Sequence, residues 1–358
     1  MAKRSNGVKD YTWGAKRSKK KVILIALAVV VVVGAAVGGF LYFSREEVSN
    51  GDGPLGPNMS EADFQPRVID GVKVPASRAN LFPVAVMIEN LVSSRPPSGL
   101  VDANVVYEAL AEGGITRFMA IYASGYEIEK IGPVRSARPY YLDWAKEYGA
   151  LYAHIGGSQQ ALSDIQKYDI FDLNQFFNAQ YFWRDSERVR PHNLYTSSQN
   201  LSLALRDLDA PATGDYDGWT FKEDADDLPT TEKTIQIEFS SINYLVNYTF
   251  NRENNHYVRN LAGEAHLDLD GRQIVAKNVI VQFVQATHAD DEGRLSMKST
   301  GEGDAVFFID GKSIEGTWEK ESMESRTEYL DSTGEPIEFN AGTIWIEIVP
   351  SENNLTYT

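Results

Sequence analysis

Residues 150–168 read ALYAHIGGSQQALSDIQKY, and this stretch decides the fold class of the chain. Ala150–Ile155 is an apolar run broken only by a tyrosine and a histidine, which predicts a buried strand. Gly156–Gly157 ends the strand, Ser158 is a suitable N-cap, and Gln159–Tyr168 has a helical pattern. A strand that turns directly into a helix is typical of an α/β domain.

The same alternation of strands and helices extends toward the amino terminus. Phe82–Ile88 (FPVAVMI) predicts a second buried strand. Asn104–Leu110 and Ile115–Tyr122 are two strand-like runs on either side of a Gly-Gly turn, which predicts a hairpin. Pro139–Tyr148 predicts a helix with proline in its first turn. We therefore predict an α/β domain over residues 81–212.

Beyond this domain the pattern changes to strands alone. Residues 213–231 are polar and rich in Asp and Gly, which predicts a linker. Residues 232–350 predict a mainly β domain, a small sandwich or barrel, and residues 351–358 a tail. The predicted strands are Thr234–Phe239, Tyr244–Asn251, His256–Arg259, Asn278–Phe283, Ala305–Ile309, Gly316–Glu319, Arg326–Tyr329 and Thr343–Val349.

The amino-terminal part of the sequence predicts a membrane anchor. Val22–Phe43 (VILIALAVVVVVGAAVGGFLYF) holds 22 residues without a charge, enough to span a hydrocarbon core of about 30 Å as a helix. The basic segment 1–21 precedes it, so the amino terminus is expected in the cytoplasm and the rest of the chain outside. Residues 44–80 predict a flexible linker. A cleaved signal peptide is the alternative, but its apolar region would be shorter.

Charge and composition exclude several classes of protein. Residues 1–45 contain nine Lys or Arg and one Asp, whereas the rest of the chain contains 25 basic and 49 acidic side chains. An outer region this acidic argues against nucleic-acid binding, which requires a basic surface. The chain has no cysteine, which excludes disulfides, thiolate metal sites and a lipidated cysteine. The predicted partners are the lipid bilayer, through residues 22–43, and an envelope polymer or membrane protein.

Three segments of the first domain concentrate polar residues where a strand meets a loop. In the first, IGPVRSARPY (131–140), Arg135 and Arg138 flank Ser136 at the opening of a helix. Guanidinium groups beside free helix N–H groups suit a phosphate or carboxylate. Arginines that neutralise the end of a surface helix are the structural alternative.

The second segment is HIGGS, from His154 to Ser158. A histidine that closes a buried strand stands beside the backbone N–H groups of Gly156 and Gly157, and Ser158 begins the next helix. The position at the carboxyl end of a strand favours a ligand site, because open α/β sheets bind ligands there. A histidine with a purely structural role is the alternative.

The third segment is FWRDSERVRPHNLY, residues 182–195. Its candidate ligand-binding residues are Arg184, Asp185, Arg188 and Asn193, and its candidate acid or base is His192. Flanking aromatic residues indicate that the loop packs against the domain. A solvated loop with internal salt bridges is the alternative.

Together the three segments predict a pocket lined by arginine, with His154 and His192 as candidate catalytic residues. No set of metal ligands and no cofactor motif is evident, so neither is predicted. We favour a protein that binds a phosphate- or carboxylate-bearing envelope ligand, or a partner protein. The alternative is a transferase or hydrolase that acts on a phosphorylated wall or surface polymer.

The chain also resembles a known family. VAVMIEN, VVYEALAEGGITRFMAIY, IGPVRSARPYYLDWA, YAHIGGS and RVRPHNLY are similar to successive blocks of the YerB-like bacterial lipoproteins, whose domains have no known function. The similarity continues through Tyr257–Arg259, Gly263–Asp268 and the closing GTIWI at 342–346. It implies a two-domain envelope protein and no established reaction. This chain differs in lacking the lipidation cysteine, and a transmembrane helix takes its place.

Overall fold

A mixed sheet of ten strands forms the centre of the fold and takes strands from both halves of the chain. The computed structural model describes residues 63–231, 233–290 and 293–358. These residues belong to one compact unit, which is mostly β with few helices. The mainly β character predicted for the C-terminal half is confirmed.

The strands and helices are numbered along the chain. The strands before residue 231 are β1 (Phe64–Pro66), β2 (Lys73–Pro75), β3 (Val84–Glu89), β4 (Val105–Leu110), β5 (Thr116–Tyr122), β6 (Leu151–His154), β7 (Asp172–Asn174), β8 (Trp183–Arg184), β9 (Leu194–Tyr195) and β10 (Thr220–Lys222). The α-helices are α1 (Pro139–Lys146), α2 (Gln159–Lys167) and α3 (Ser198–Asp207).

The second half contributes strands alone. They are β11 (Thr234–Glu238), β12 (Leu245–Asn251), β13 (His256–Leu261), β14 (Glu264–Ala265), β15 (Val275–Ala276), β16 (Asn278–Phe283), β17 (Ala286–His288), β18 (Leu295–Met297), β19 (Gly301–Ile309), β20 (Lys312–Lys320), β21 (Glu328–Asp331), β22 (Glu338–Asn340), β23 (Ile344–Val349) and β24 (Leu355–Tyr357).

The order of the ten-stranded sheet is β21-β20-β19-β16-β23-β4-β5-β3-β6-β7. Strands β16, β23 and β4 are parallel neighbours, as are β3, β6 and β7. Strand β5 lies between the two groups and is antiparallel to β4 and to β3. The carboxyl ends of all six parallel strands therefore meet at one edge of the sheet, which we call the carboxyl edge.

Both faces of this sheet are covered, which is why its central strands are continuous apolar runs. Tyr107 on β4 stacks on Trp144 of helix α1, with ring centroids 5.4 Å apart. Its neighbour Glu108 points to the opposite face, where it meets Arg259 of a second sheet. Successive residues of a strand alternate between faces, so one strand contacts both layers.

The second sheet is antiparallel, with the order β14-β13-β12-β11-β24, and β15 also pairs with β13. Strand β12 alternates between buried and half-buried residues, as expected where one face of a sheet lies on the core. Its inward Tyr248 and Arg259 of β13 reach the ten-stranded sheet. The second sheet thus packs against the first through polar as well as apolar contacts.

Residues 64–80 are folded, although the sequence predicted a flexible linker over 44–80. Strands β1 and β2 pair, and the side chains of Arg67 and Asp70 are buried against each other at 2.7 Å. Asn104 donates to the same carboxylate at 2.7 Å. The sequence predicted a linker because residues 50–63 are rich in Gly, Pro, Asn and acidic residues. That composition does not show that Arg67 and Asp70, which are charged and would usually face solvent, pair in the interior.

The predicted tail, residues 351–358, is also ordered. Strand β24 pairs with β11 at the edge of the second sheet. The predicted linker at 213–231 contains β10, which pairs with β22, and the ten-stranded sheet takes strands from both sides of this segment.

No helix in the described part of the chain is long and apolar enough to cross a membrane. The predicted span at 22–43 and the predicted cytoplasmic tail at 1–21 lie outside the described residues.

Helix α1 carries a carboxyl group that should make stability depend on pH. Ser299 donates a hydrogen bond to Asp143, and burial, opposed by this bond, raises the pKa of Asp143 to about 6. The unfolded pKa is about 4, so ionisation costs more in the folded state, and stability should fall by about 3 kcal/mol as pH rises from about 4 to about 6. The Asp143→Asn variant should lack this pH-dependent loss of stability.

Urea unfolding at several pH values checks this expectation. The free energy of unfolding of wild type minus that of Asp143→Asn should decrease across this window and level off above it. A difference that does not change with pH would show that Asp143 has its ordinary pKa.

Candidate functional site

The candidate site lies at the carboxyl edge, and its centre is Glu89, the last residue of β3. Arg135 forms an ion pair with the Glu89 carboxylate, and His192 Nδ1 lies 3.2 Å from Glu89 Oε2. Glu89 is only 2% exposed, whereas Arg135 and His192 are 23% and 20% exposed. We call these three residues the Glu89 cluster. Its carboxylate is buried, and its two basic groups reach the surface.

A second group of charges lies beside it and consists of Glu112, Arg117 and Arg138, which we call the Glu112 cluster. Glu112 Oε1 accepts from Arg117 and from Arg138, each at 2.5 Å, and Arg138 Nε donates to Oε2 at 2.9 Å. Burial favours the neutral acid, but the two guanidinium groups outweigh it and lower the pKa of Glu112 to about 2. The carboxylate is therefore ionised and both arginines are fixed.

The two clusters carry an excess of positive charge. Three arginines face two glutamates, so these five side chains carry one positive charge in excess. Arg135 and Arg117 lie close enough to repel each other, and burial together with this repulsion lowers the pKa of Arg135. Guanidinium remains charged at any physiological pH. An anion would relieve this unbalanced charge.

Backbone hydrogen bonds to β3 and to the turn after β6 hold the segment from Arg135 to Arg138 in place. The N–H of Arg135 donates to the carbonyl of Met87 on β3 at 2.9 Å, and the carbonyl of Arg135 accepts from the N–H of Ile155 at 3.1 Å. The N–H of Ala137 donates to the carbonyl of Gly156 at 2.9 Å. The segment thus lies between the ends of β3 and β6, although the sequence predicted only a loop before a helix.

His154 has a different environment from the one expected of a catalytic residue. Its side chain is fully buried, Nδ1 lies 2.7 Å from the carbonyl of Gly156, and Nε2 lies 2.6 Å from Asp172. Both ring nitrogens are thus engaged, and no surface of the ring is open to a substrate. In this position the histidine fixes the turn after β6.

The glycine turn after His154 is also engaged in the fold. Gly156 has a φ of +56°, and its N–H donates to Asn174 at 3.2 Å. Phe176 covers it so closely that a Cβ at this position would lie 2.8 Å from the ring. Gly157 packs on Ala137, and Ser158 caps helix α2 by accepting from the N–H of Ala161, as predicted.

The third predicted segment forms a small hairpin of β8 and β9. Arg184 donates to Asn193 Oδ1 at 2.8 Å, and the amide group of Asn193 donates to the carbonyl of Asp185 at 2.8 Å. Asp185 forms an ion pair with Lys130. These contacts hold the hairpin through hydrogen bonds within the loop and through one ion pair with Lys130, which lies outside it.

Arg188 attaches this loop to the rest of the carboxyl edge. It donates to the backbone carbonyls of Ser94 and Pro96, the latter at 2.7 Å. The attachment keeps His192 against Glu89 and leaves Val189 83% exposed at the loop tip.

The structure brings together only part of the predicted set. Arg135, Arg138 and His192 lie in the two charge clusters, with Ser136 between the arginines; its carbonyl accepts from Arg117 at 3.3 Å. The other predicted residues hold turns and the hairpin through their own hydrogen bonds; they are His154, Gly156, Gly157, Ser158, Arg184, Asp185, Arg188 and Asn193.

Sequence reasoning missed two carboxylates, Glu89 and Asp172. Glu89 ends the apolar strand VAVMIE, and a charged residue that directly follows five buried apolar residues is the signal that could have identified it. Asp172 pairs with His154 from the neighbouring strand β7, and no local sequence pattern indicates that pairing.

The fold and the charged carboxyl edge define a class of protein in which an N-terminal and a C-terminal segment share one sheet. The two segments match two family models: the N-terminal domain of the protein of unknown function DUF3048 over residues 70–211, and the C-terminal domain of the same family over residues 235–346. This chain belongs to that family.

One curated relative is the Bacillus subtilis (strain 168) protein described as "Putative lipoprotein YerB". It is 30% identical over 289 residues, which cover 79% of this chain and 85% of that protein. The crystal structure of YerB from Bacillus subtilis matches with a TM-score of 0.73 at 28% identity and covers 81% of this chain and 98% of that one. Fold and sequence therefore agree on the same relative.

Proposed function

We propose that this chain is an extracytoplasmic envelope protein, held at the membrane by residues 22–43, that binds an anionic group of an envelope ligand at the Glu89 cluster. The similarity to the Bacillus subtilis protein described as "Putative lipoprotein YerB" supports a place at the membrane. The absence of a cysteine in this chain leaves the apolar segment as the anchor.

One observation carries the choice of ligand. Arg135 and His192 share one buried carboxylate, yet each keeps about a fifth of its side chain exposed. A single carboxylate cannot satisfy all the donors of a guanidinium group and an imidazole. A phosphate or carboxylate group that approaches from solvent would accept from the remaining donors and offset the excess positive charge.

Binding is favoured over catalysis for a geometric reason. His154 is buried with both nitrogens bonded, and Arg138 is held by Glu112. Catalysis of group transfer requires a nucleophile or a base within hydrogen-bond reach of the substrate. Of the two histidines predicted as acid or base, only His192 reaches the surface, so the transferase or hydrolase alternative rests on that residue alone.

Replacement of Arg135 tests the proposal. The solubilised full chain is titrated with undecaprenyl phosphate and with soluble wall fragments that carry phosphate or carboxylate groups. Arg135→Gln should weaken binding about tenfold or more, because a hydrogen bond between charged groups contributes about 1.5–3 kcal/mol.

Arg206→Gln is the matched control, because Arg206 is 70% exposed on α3 and, within the described residues, pairs with its neighbour Asp207 alone. It should leave every affinity unchanged. If wild type and Arg135→Gln bound every ligand with equal affinity, Arg135 would not be part of the binding site. Thermal unfolding of both variants separates a loss of binding from a loss of fold.

A further inference from the structure

A cavity of about 470 Å³ opens between the second sheet and the turn from β19 to β20. Strand β19 is antiparallel to β16, so this turn lies at the edge of the ten-stranded sheet opposite the carboxyl edge. The residues that matter for its chemistry are Lys233, Thr234, Tyr257, Phe308, Lys312 and Tyr357. A volume of this size is typical of sites for small molecules.

Aromatic rings form the walls of the cavity. Phe308 and Tyr357 meet edge to face, with ring centroids 5.2 Å apart. Tyr257 is buried, and its hydroxyl accepts a hydrogen bond of 2.9 Å from the N–H of Gly311. The Tyr357 hydroxyl donates to Glu315 at 3.1 Å, outside the cavity lining. Phe308 and Tyr257 are buried, whereas Tyr357 is half-buried, so the ring of Tyr357 offers an open surface to an apolar face of a ligand.

The turn that carries Lys312 is held by an unusual number of polar contacts. Asp310 and Gly311 adopt positive φ angles of 54° and 69°. The carboxylate of Asp310 accepts from Lys222, Asn255 and Asn340 at 2.5–2.7 Å. Burial favours the neutral acid, but these donors outweigh it and lower the pKa of Asp310 to about 2. The turn thus keeps a fixed shape next to the cavity.

The charge of the cavity is opposite to that of the chain. The chain has a net charge of −16, yet the charged side chains that line the cavity are two lysines, Lys233 and Lys312. An adjoining cavity of about 540 Å³ shares Pro229 with the first and adds Arg252. Within the described residues, neither lysine forms an ion pair.

We propose that this cavity binds a sugar that carries a phosphate or carboxylate group. The two ammonium groups would hold the anion as point charges. The hydroxyls of Thr234, Ser313 and Thr358, which also line the cavity, can both donate to and accept from sugar hydroxyls. The open ring of Tyr357 would contact the apolar face of the sugar ring.

Tyr357 and Thr358 form one side of the cavity. Strand β24 places Tyr357 and Thr358 beside the start of β11, where the N–H of Thr358 donates to the carbonyl of Thr234 at 3.1 Å. The site is separate from the Glu89 cluster, since the two lie at opposite edges of the ten-stranded sheet. The inference therefore does not rest on the function proposed for Arg135.

Calorimetric titration of the solubilised full chain tests the proposal with four probes: glucose 6-phosphate, glucuronate, glucose and inorganic phosphate. We expect at least one of the two anionic sugars to bind, and glucose and inorganic phosphate to bind about tenfold more weakly or not at all. The double variant Lys233→Gln/Lys312→Gln should reduce the affinity for the anionic sugar about tenfold or more, because it removes both positive charges.

Two control variants locate the site. Lys298→Gln removes an exposed lysine outside the cavity and should not change the affinity. Arg135→Gln, at the opposite edge, should also leave sugar binding unchanged, which separates this proposal from the proposed function. Failure of both anionic sugars to bind the wild type would overturn the proposal, as would equal binding by the double variant. If inorganic phosphate bound as tightly as glucose 6-phosphate, the cavity would recognise phosphate alone, and the proposal of a sugar site would be overturned.

Discussion

Replacement of Arg259 by alanine is expected to destabilise the fold by about 4 kcal/mol, because it leaves buried carboxyl groups without their cation. Arg259 is fully buried and forms ion pairs with Glu108 and, at 3.5 Å, with Glu347. It also donates to the Tyr248 hydroxyl at 3.0 Å. Glu108 and Glu347 are register partners on β4 and β23, and they keep a single arginine between them.

The protonation state of this pair follows from the same contacts. Burial, and next the negative charge of Glu108, raises the pKa of Glu347. One of the two carboxyl groups is therefore expected to keep its proton near neutral pH, so that one arginine faces one negative charge. Without Arg259 the remaining charge would lie in the interior with no partner.

Urea unfolding at neutral pH measures the effect. Arg272→Ala is the matched control, because Arg272 is 53% exposed and its pair with Asp102 lies at the surface, so it should cost less than about 1 kcal/mol. Arg259→Met combined with Glu108→Gln and Glu347→Gln should recover part of the loss, since it removes the unpaired charge. If Arg259→Ala and Arg272→Ala were equally stable, the buried ion pairs of Arg259 would stabilise the fold no more than a surface pair does.

Glu147→Gln is expected to have the second largest effect, a loss of about 3 kcal/mol. This carboxylate at the end of α1 is fully buried and accepts from Lys320 at 2.9 Å and from Arg326 at 2.6 Å. It also accepts from Tyr107 at 2.6 Å and from the Thr327 hydroxyl at 2.6 Å. A neutral glutamine would keep some of these hydrogen bonds and leave two buried cations without a counter-ion.

The pH dependence of Glu147→Gln provides a second measurement. Burial favours the neutral acid, but Lys320 and Arg326 outweigh it and lower the pKa of Glu147. A lowered carboxyl pKa contributes stability above the unfolded pKa, about 4.3, which is lost as pH falls through the folded value. The difference between wild type and variant should therefore shrink in acid. Glu223→Gln, at an 88% exposed glutamate paired with Lys73, should show no such difference.

The local structure of the first half could be predicted from the sequence. The hairpin of β4 and β5 and the three elements β6, α1 and α2 lie within a few residues of their predicted bounds. These elements follow from patterns inside one stretch of chain: apolar runs, a Gly-Gly turn and a Ser N-cap. Such patterns need no knowledge of distant residues.

The arrangement of the strands could not be predicted in the same way. Nothing in the apolar run of β23 indicates that it lies between β16 and β4, because a continuous apolar strand fits any central position in a sheet. The ion pair of Arg67 with Asp70 was hidden for a related reason. Charged residues usually face solvent, so their burial depends on a partner that the sequence pattern does not show.

The same distinction between local patterns and contacts made by the assembled strands applies to the candidate site. The sequence identified Arg135, Arg138 and His192 because charged residues beside a predicted strand end are visible locally. It did not identify Glu89, the carboxylate that pairs with Arg135, because the two residues meet only after the strands have assembled. Whether a histidine is open to solvent, as His192 is, or enclosed, as His154 is, also depends on that assembly.

The position of β23 has a consequence for how the chain matures. Strand β4 is made early in synthesis, yet one of its two neighbours, β23, begins at Ile344, about 240 residues later. Until β23 arrives, the backbone groups along that side of β4 remain unpaired and can pair with another chain. A chain that is made amino end first would carry this open edge through most of its synthesis. We therefore expect maturation, rather than the stability of the finished fold, to be the stage at which this protein is most prone to aggregate.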